Sequence, residues 1–358
     1  MVSHHRGRAR LTVAVGIVAA TGALTACTLP SSQSSARSGA RMATAGASVA
    51  TGSDYHAFVA TDGGLVLEID TATHAILRDF SVDSTQGVTA TPDGSQVFAA
   101  QTGTYSVVAV NTATGASKTI FVGAYPQDVA ATPDGKSVYA TVTGGQTGPG
   151  GPNQIAVIAT ATDTVTRYLT VDTSPRRVVF SPDGQLAYVT TARSIDILST
   201  ATGTVIHTIP DSGGPQDLAL TPNGKTLYVT NPVPKTLWVI ATASDKVTAQ
   251  IPGGDEPYSV AVTPDGKTLY LTDLNSNSLQ VISTASNKAV TTVPVGGLPG
   301  VVAVTPDGTQ VWTGNILPGT ISVINPVTNT VAGTITAGAS FQTLDAGPVA
   351  VAFVKAPS

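Results

Sequence analysis

Thr221-Pro222-Asn223-Gly224-Lys225-Thr226-Leu227-Tyr228-Val229-Thr230-Asn231 is a tight turn feeding a strand, and the chain repeats it along most of its length. Pro222 presets φ for the second position of a type I turn, Asn223 tolerates the third, and Gly224 takes the left-handed conformation that returns the chain antiparallel. The turn recurs as Thr-Pro-Asp-Gly at Thr91, Thr132, Thr263 and Thr305 and as Ser-Pro-Asp-Gly at Ser181. The prolines, Pro92, Pro133, Pro182, Pro222, Pro264 and Pro306, fall 41, 49, 40, 42 and 42 residues apart. A Thr-Ala-Thr turn or close variant keeps the same period, starting at Thr71, Thr112, Thr160, Thr200, Thr242, Thr284 and, as Pro-Val-Thr, Pro326.

A period near 40 with several strands per unit is the signature of a propeller blade and not of a helical solenoid. In the fifth unit Asp217–Leu220, Thr226–Thr230, Thr236–Ala241 and Val247–Ile251 are four short β-prone runs separated by turn residues, a four-stranded meander. Seven Thr-Ala-Thr turns against six proline turns leave one unit without its first strand. The first unit opens at Tyr55 with what should be a second strand, and Gly347–Phe353 repeats the pattern of Pro257–Val262 and Pro299–Val304 at the other end of the chain. The expected architecture is therefore an all-β, seven-bladed propeller of four-stranded antiparallel blades over about residues 54–358, its first blade closed by the C-terminal strand.

Composition agrees. Only 11% of the 358 residues are charged and 42% are hydrophobic, and the Thr, Val, Ala and Gly content favours strands and turns. Eighteen Lys and Arg against twenty-two Asp and Glu leave a net charge of -4, so counterion release, the main drive of non-specific nucleic-acid binding, is missing. Neither nucleic acid nor an acidic lipid surface is an expected partner.

The ends read separately. His4, His5, Arg6, Arg8 and Arg10 precede an apolar stretch, Leu11–Ala26, too short for the roughly 20 residues of a spanning helix. This is the pattern of a signal peptide, residues 1–26. Leu24-Thr25-Ala26-Cys27 resembles a bacterial lipobox, and Cys27 is the sole cysteine of the chain. The resemblance implies lipidation at Cys27, membrane attachment through that anchor and an extracytoplasmic, lipid-anchored location. Residues 27–53, rich in Ser, Ala and Gly, read as a flexible tether.

The run Tyr228-Val229-Thr230-Asn231, with variants at Val138, Ala187, Leu269 and Val311, resembles the YVTN repeat of a propeller family. The resemblance covers nearly the whole repeated region. It implies fold more than chemistry, because the repeated residues are turn glycines, packed aromatics and strand valines, and propellers of this kind include surface proteins, binding proteins and some enzymes.

Both turn sets fall on one face of the disc, so the variable loops lie on the other. There the two positions after each inner-strand proline differ from blade to blade: Gln127 and Asp128, Arg176 and Arg177, Gln216 and Asp217, Tyr258 and Ser259, then Gly300, Val301 and Val349, Ala350. Gln127, Asp128, Arg176, Arg177, Gln216, Asp217 and Tyr258 are the candidate ligand-binding residues, at the channel mouth. Two arginines between aspartates suit a carboxylate or phosphate, since a guanidinium presents paired donors in one plane. Opposite charges on neighbouring blades also satisfy one another with no ligand, and that reading is favoured. The long Gly/Pro run at residues 144–152 is a surface insertion or a lid.

No catalytic or metal-binding constellation and no cofactor motif is legible. His56, His74 and His207 fall on a second strand, a rim turn and an outer strand of different blades. Lactonase-like and streptogramin-lyase-like propellers need a metal or an acid/base pair at the mouth, where Asp255 and Glu256 are the adjacent acids. The sequence favours a non-enzymatic binding or scaffold module for a protein, glycan or small anionic ligand, with a propeller hydrolase or lyase as the alternative.

Overall fold

The computed structural model describes residues 54–144, 153–338 and 347–356; residues 1–53, including Cys27, and most of the 144–152 insertion lie outside them. Seven four-stranded antiparallel sheets form the seven blades, and no helix occurs among the described residues. Blade one combines Tyr55–Thr61, Leu65–Asp70 and Ile76–Ser81 with Pro348–Lys355. Blades two to seven open with Thr85–Ala90, Tyr125–Ala131, Val178–Phe180, Leu218–Leu220, Pro257–Val262 and Gly297–Val304, each the inner strand of its sheet. The inner strands meet in a ring, and Pro348–Lys355 touches both Thr85–Ala90 and Gly297–Val304. The fifth blade has the four expected strands, Leu218–Leu220, Thr226–Asn231, Thr236–Ala241 and Lys246–Pro252.

The core is divided. Seven buried clusters each fill the seam between two neighbouring blades, so every blade is apolar on both faces and no blade is a unit by itself. The strands are accordingly near-continuous apolar runs, as in Val107–Val110 and Leu227–Val229.

The proline turns lock to one another around the rim. Gly224 has φ of +69° as the turn requires, and a Cβ there would stand 3.0 Å from Cδ of Pro182, the turn proline of the preceding blade. Gly135, Gly184, Gly266 and Gly308 sit against Pro92, Pro133, Pro222 and Pro264 in the same way. Blade one lacks a proline turn. There the Cγ1 of Val354, from the C-terminal strand, occupies the space before Gly94 that a proline fills elsewhere.

The closing seam holds the largest buried side chain. Trp312 is fully buried between Phe353 and His74, and its Nε1 donates to Gln310 Oε1 at 2.8 Å. His74 occupies the positive-φ position of its turn, where the other blades use Gly, Asp or Asn, and burial pushes its imidazole below the usual value. It is thus a residue packed into the seam, edge-on to Trp312.

Candidate functional site

The inner strands position the mouth residues, and one repeated threonine fixes their backbones. Thr141, Thr190 and Thr230 lie within two residues of the ends of the second strands of blades three, four and five. Each hydroxyl accepts from an amide in, or immediately before, the inner strand of its own blade: Asp128 N at 3.0 Å, Arg177 N at 3.1 Å and Asp217 N at 2.9 Å. Each donates across the seam to the next blade, to the carbonyl of Arg176 at 2.8 Å, Gln216 at 3.4 Å and Tyr258 at 2.9 Å. A buried hydroxyl with a donor and an acceptor in reach meets both requirements at once.

Side chains at the second position after each proline point into the seams. Asp128 Oδ1 pairs with Arg177 Nη1 at 3.0 Å while Oδ2 accepts from Val178 N at 3.2 Å. Asp217 Oδ2 accepts from Ser259 Oγ at 2.7 Å and Val260 N at 3.0 Å, and Ser259 Oγ in turn accepts from Val302 N at 3.2 Å. Side-chain bonds of this kind therefore join blade three to four, five to six, and six to seven. Gly87 of blade two leaves the room Asp128 needs, since a Cβ there would stand 2.7 Å from Oδ1. Burial pushes the Asp128 carboxyl up, with the Arg177 charge opposing it. Burial also opposes the Arg177 charge, yet the carboxylates of Asp128 and Asp217 prevail and hold its pKa above the usual range.

The two arginines consequently have different tasks, and the single two-arginine clamp suggested by the sequence does not form. Arg177 is consumed in the seam, its side chain 22% exposed. Arg176 bonds the amide oxygen of Gln216 on the next blade and pairs with no carboxylate among the described residues. Gln127, Arg176, Gln216 and Tyr258 are half-buried at the first position after their prolines, a polar arc opposite Gly300 and Val349.

The acidic pair is tied down as well. Asp255 forms a short ion pair with Lys235, and the backbone amides of Asp255 and Glu256 bond the carboxylate of Asp273. Among the described residues no group of three or more His, Cys, Asp or Glu stands ready for a metal ion. Sequence reasoning missed Glu68, buried on the third strand of blade one and bonded to His56 Nδ1 at 2.7 Å and Arg78 Nε at 2.5 Å. The signal was there: the other blades carry Ala, Val or Ile at that point of the strand.

Residues 175–304 match the family model described as lactonase, 7-bladed beta-propeller. No curated protein matches the chain. Among solved structures, hydrazine synthase of Kuenenia stuttgartiensis is similar at 25% identity over 74% of this chain and 90% of that one, with a TM-score of 0.68. A candidate 6-phosphogluconolactonase from Bacteroides uniformis is 19% identical over 84% of this chain and 100% of that one, TM-score 0.66. Another from Bacteroides fragilis is 17% identical over 85% and 99%, TM-score 0.67. The chain is a seven-bladed β-propeller whose stretch from the inner strand of blade four to that of blade seven carries the lactonase-type match.

Proposed function

We propose that the protein is a propeller hydrolase that opens a lactone at the loop-face mouth of its channel, in preference to the non-enzymatic binding role. The observation that carries the reading is a coincidence in position. The stretch matched by the lactonase model, residues 175–304, is the stretch that carries Arg176 and Gln216, just before the inner strands of blades four and five, and Tyr258, in the inner strand of blade six.

The chemistry suits the residues. Asp128, Asp217 and Asp255 are committed to structural partners, so the mouth offers hydrogen-bond donors more than a free carboxylate base. A lactone asks little beyond that, because its acyl carbon is already electrophilic. Water adds to that carbon, the ring C–O bond breaks, and the ring oxygen leaves as the hydroxyl of the hydroxy acid. Negative charge develops on the carbonyl oxygen. Arg176 has five N–H donors and gives one to Gln216, leaving others to meet that oxygen or an anionic substituent on the substrate. The amides of Gln127 and Gln216 and the phenol of Tyr258 line the same arc.

The test is hydrolysis of five- and six-membered aldonolactones by pH-stat. Arg176→Ala should lose about a hundredfold in kcat/KM, the usual scale for one oxyanion donor, with its melting temperature unchanged. No rate above buffer for the parent, or equal rates for the variant, rejects the reading. The tied-down acids favour the second reading, a binding module, which predicts a thermal shift with sugar acids and no turnover. We further propose an extracytoplasmic, lipid-anchored location through Cys27.

A further inference from the structure

Each link from an outer strand to the next blade begins with a residue whose amide bonds back to the loop between second and third strands. In six blades that residue is small or apolar: Val82, Val122, Val171, Gly253, Val295 and Ala337. Between blades four and five it is Asp211, whose amide bonds Arg193 O at 2.8 Å in the same way. A carboxylate has replaced a valine at an interior position of a seam otherwise packed with Ile195, Ile209, Leu218 and Val229.

Asp211 is 3% exposed, and no ion pair reaches it among the described residues. Its Oδ1 accepts from Gly213 N at 2.7 Å, but Oδ2 has no hydrogen-bond partner. Asn231, fully buried at the end of the second strand of blade five, turns its side-chain amide toward the carboxylate and favours its charge, though the contact is too long for a full hydrogen bond and its Oδ1 has no partner. Thr236 lies directly opposite Asn231 in the sheet register, and its Oγ1 is also buried and unbonded. Two residues along the same face, Trp238 Nε1 completes the set. The loop of blade five lids the group, since Pro234 Cδ lies 2.8 Å from where a Gly213 Cβ would be. Burial pushes the Asp211 carboxyl up, with the Gly213 amide and the Asn231 side chain opposing it.

We propose that the seam between blades four and five binds a hard cation of the calcium type through Asp211 Oδ2, Asn231 Oδ1 and Thr236 Oγ1. Oxygen donors of mixed kind, one of them a carboxylate, are what such ions take, with waters completing the shell. Those waters are acceptors for Trp238 Nε1, so one hydrated ion satisfies the free acceptors and the orphaned indole donor together. Trapped water alone satisfies the dipoles but leaves the charge of Asp211 in an apolar seam, which is costly. A proton on Asp211 is the competing solution, and the experiment separates the two.

The full chain is melted in EDTA, in millimolar calcium and in millimolar magnesium, and calcium binding is measured by calorimetry on metal-stripped protein. Asp211→Val installs the residue of four other blades, and Asp211→Asn keeps the acceptor without the charge. Calcium should raise the parent melting temperature by roughly 5 °C or more over EDTA at saturation, as a ligand of the native state alone does. Both variants should fold and lose the response together with the calorimetric heat. A parent that melts alike in EDTA, calcium and magnesium overturns the proposal in favour of a protonated Asp211, and so does a calcium response that survives in Asp211→Asn. Neither result bears on lactone hydrolysis, which is read separately on Arg176→Ala.

Discussion

Replacing Thr230 by Val keeps the shape of a fully buried side chain and removes only its hydroxyl. That hydroxyl accepts from Asp217 N and donates to Tyr258 O, each at 2.9 Å. The substitution removes from one N–H and one C=O the partner they share in a closed seam. At about 1–3 kcal/mol for each orphaned group, the loss is roughly 2–6 kcal/mol, against a total stability of about 5–15 kcal/mol. Thermal melting followed by circular dichroism should fall by at least about 4 °C. Thr230→Ser retains the hydroxyl and gives up one methyl, about 0.8 kcal/mol, and should melt close to the parent. If the Val variant melts with the parent, or the Ser variant falls as far as the Val variant, the repeated threonine is not the link between blades.

Deleting residues 347–358 removes buried Ala350 and Val354 and half-buried Val351 and Phe353; at about 1.5–3 kcal/mol for each large side chain the loss is on the order of 5 kcal/mol, and an unchanged melting curve would contradict closure by this strand. The turn carboxylates Asp134, Asp183 and Asp265 lie below the ordinary carboxylate value because the Thr132, Ser181 and Thr263 hydroxyls and nearby amides bond their charged form. A lowered native pKa gives stability that is complete above the unfolded value of about 3.9 and is lost as pH falls through the native one. The triple Asp→Asn variant, copying Asn223, should flatten that acid limb of melting temperature against pH; superimposable limbs refute it. Cys27→Ser should move the protein from the membrane to the soluble fraction and abolish acyl mass on the chain; unchanged partitioning of the variant, with no acyl mass on the parent, ends the anchor reading.

The fold was legible because its signals are local and repeated. A Pro-Asn-Gly turn such as Pro222 to Gly224 has the same geometry wherever it stands, and the missing inner strand was found by its likeness to Pro257–Val262. The site was half legible. Spacing put Asp128, Arg176, Arg177 and Gln216 at equivalent points of adjacent blades, and the Asp128–Arg177 pair is the inter-blade bridge that the charges suggested. The division of labour between Arg176 and Arg177 was not readable, since it depends on alternate residues of a strand facing the seam or the mouth. The threonine link was hidden for another reason: in sequence Thr230 and Tyr258 are merely a strand residue and a loop residue. Asp211 escaped notice because its equivalence to Val171 and Val295 rests on a shared backbone bond and not on any motif.

Tyr55 pairs with Lys355, so the first blade is completed by almost the last residues described. During synthesis blades two to six can assemble against their neighbours, but the ring cannot shut until Val354 arrives beside Gly94. Loop closure over such a span is slow to form, and once formed it ties both ends of the repeat array together without a covalent bond. The last strand thereby acts as a checkpoint: a product truncated anywhere before it displays an open blade edge, the kind of surface that proteases and aggregation recognise.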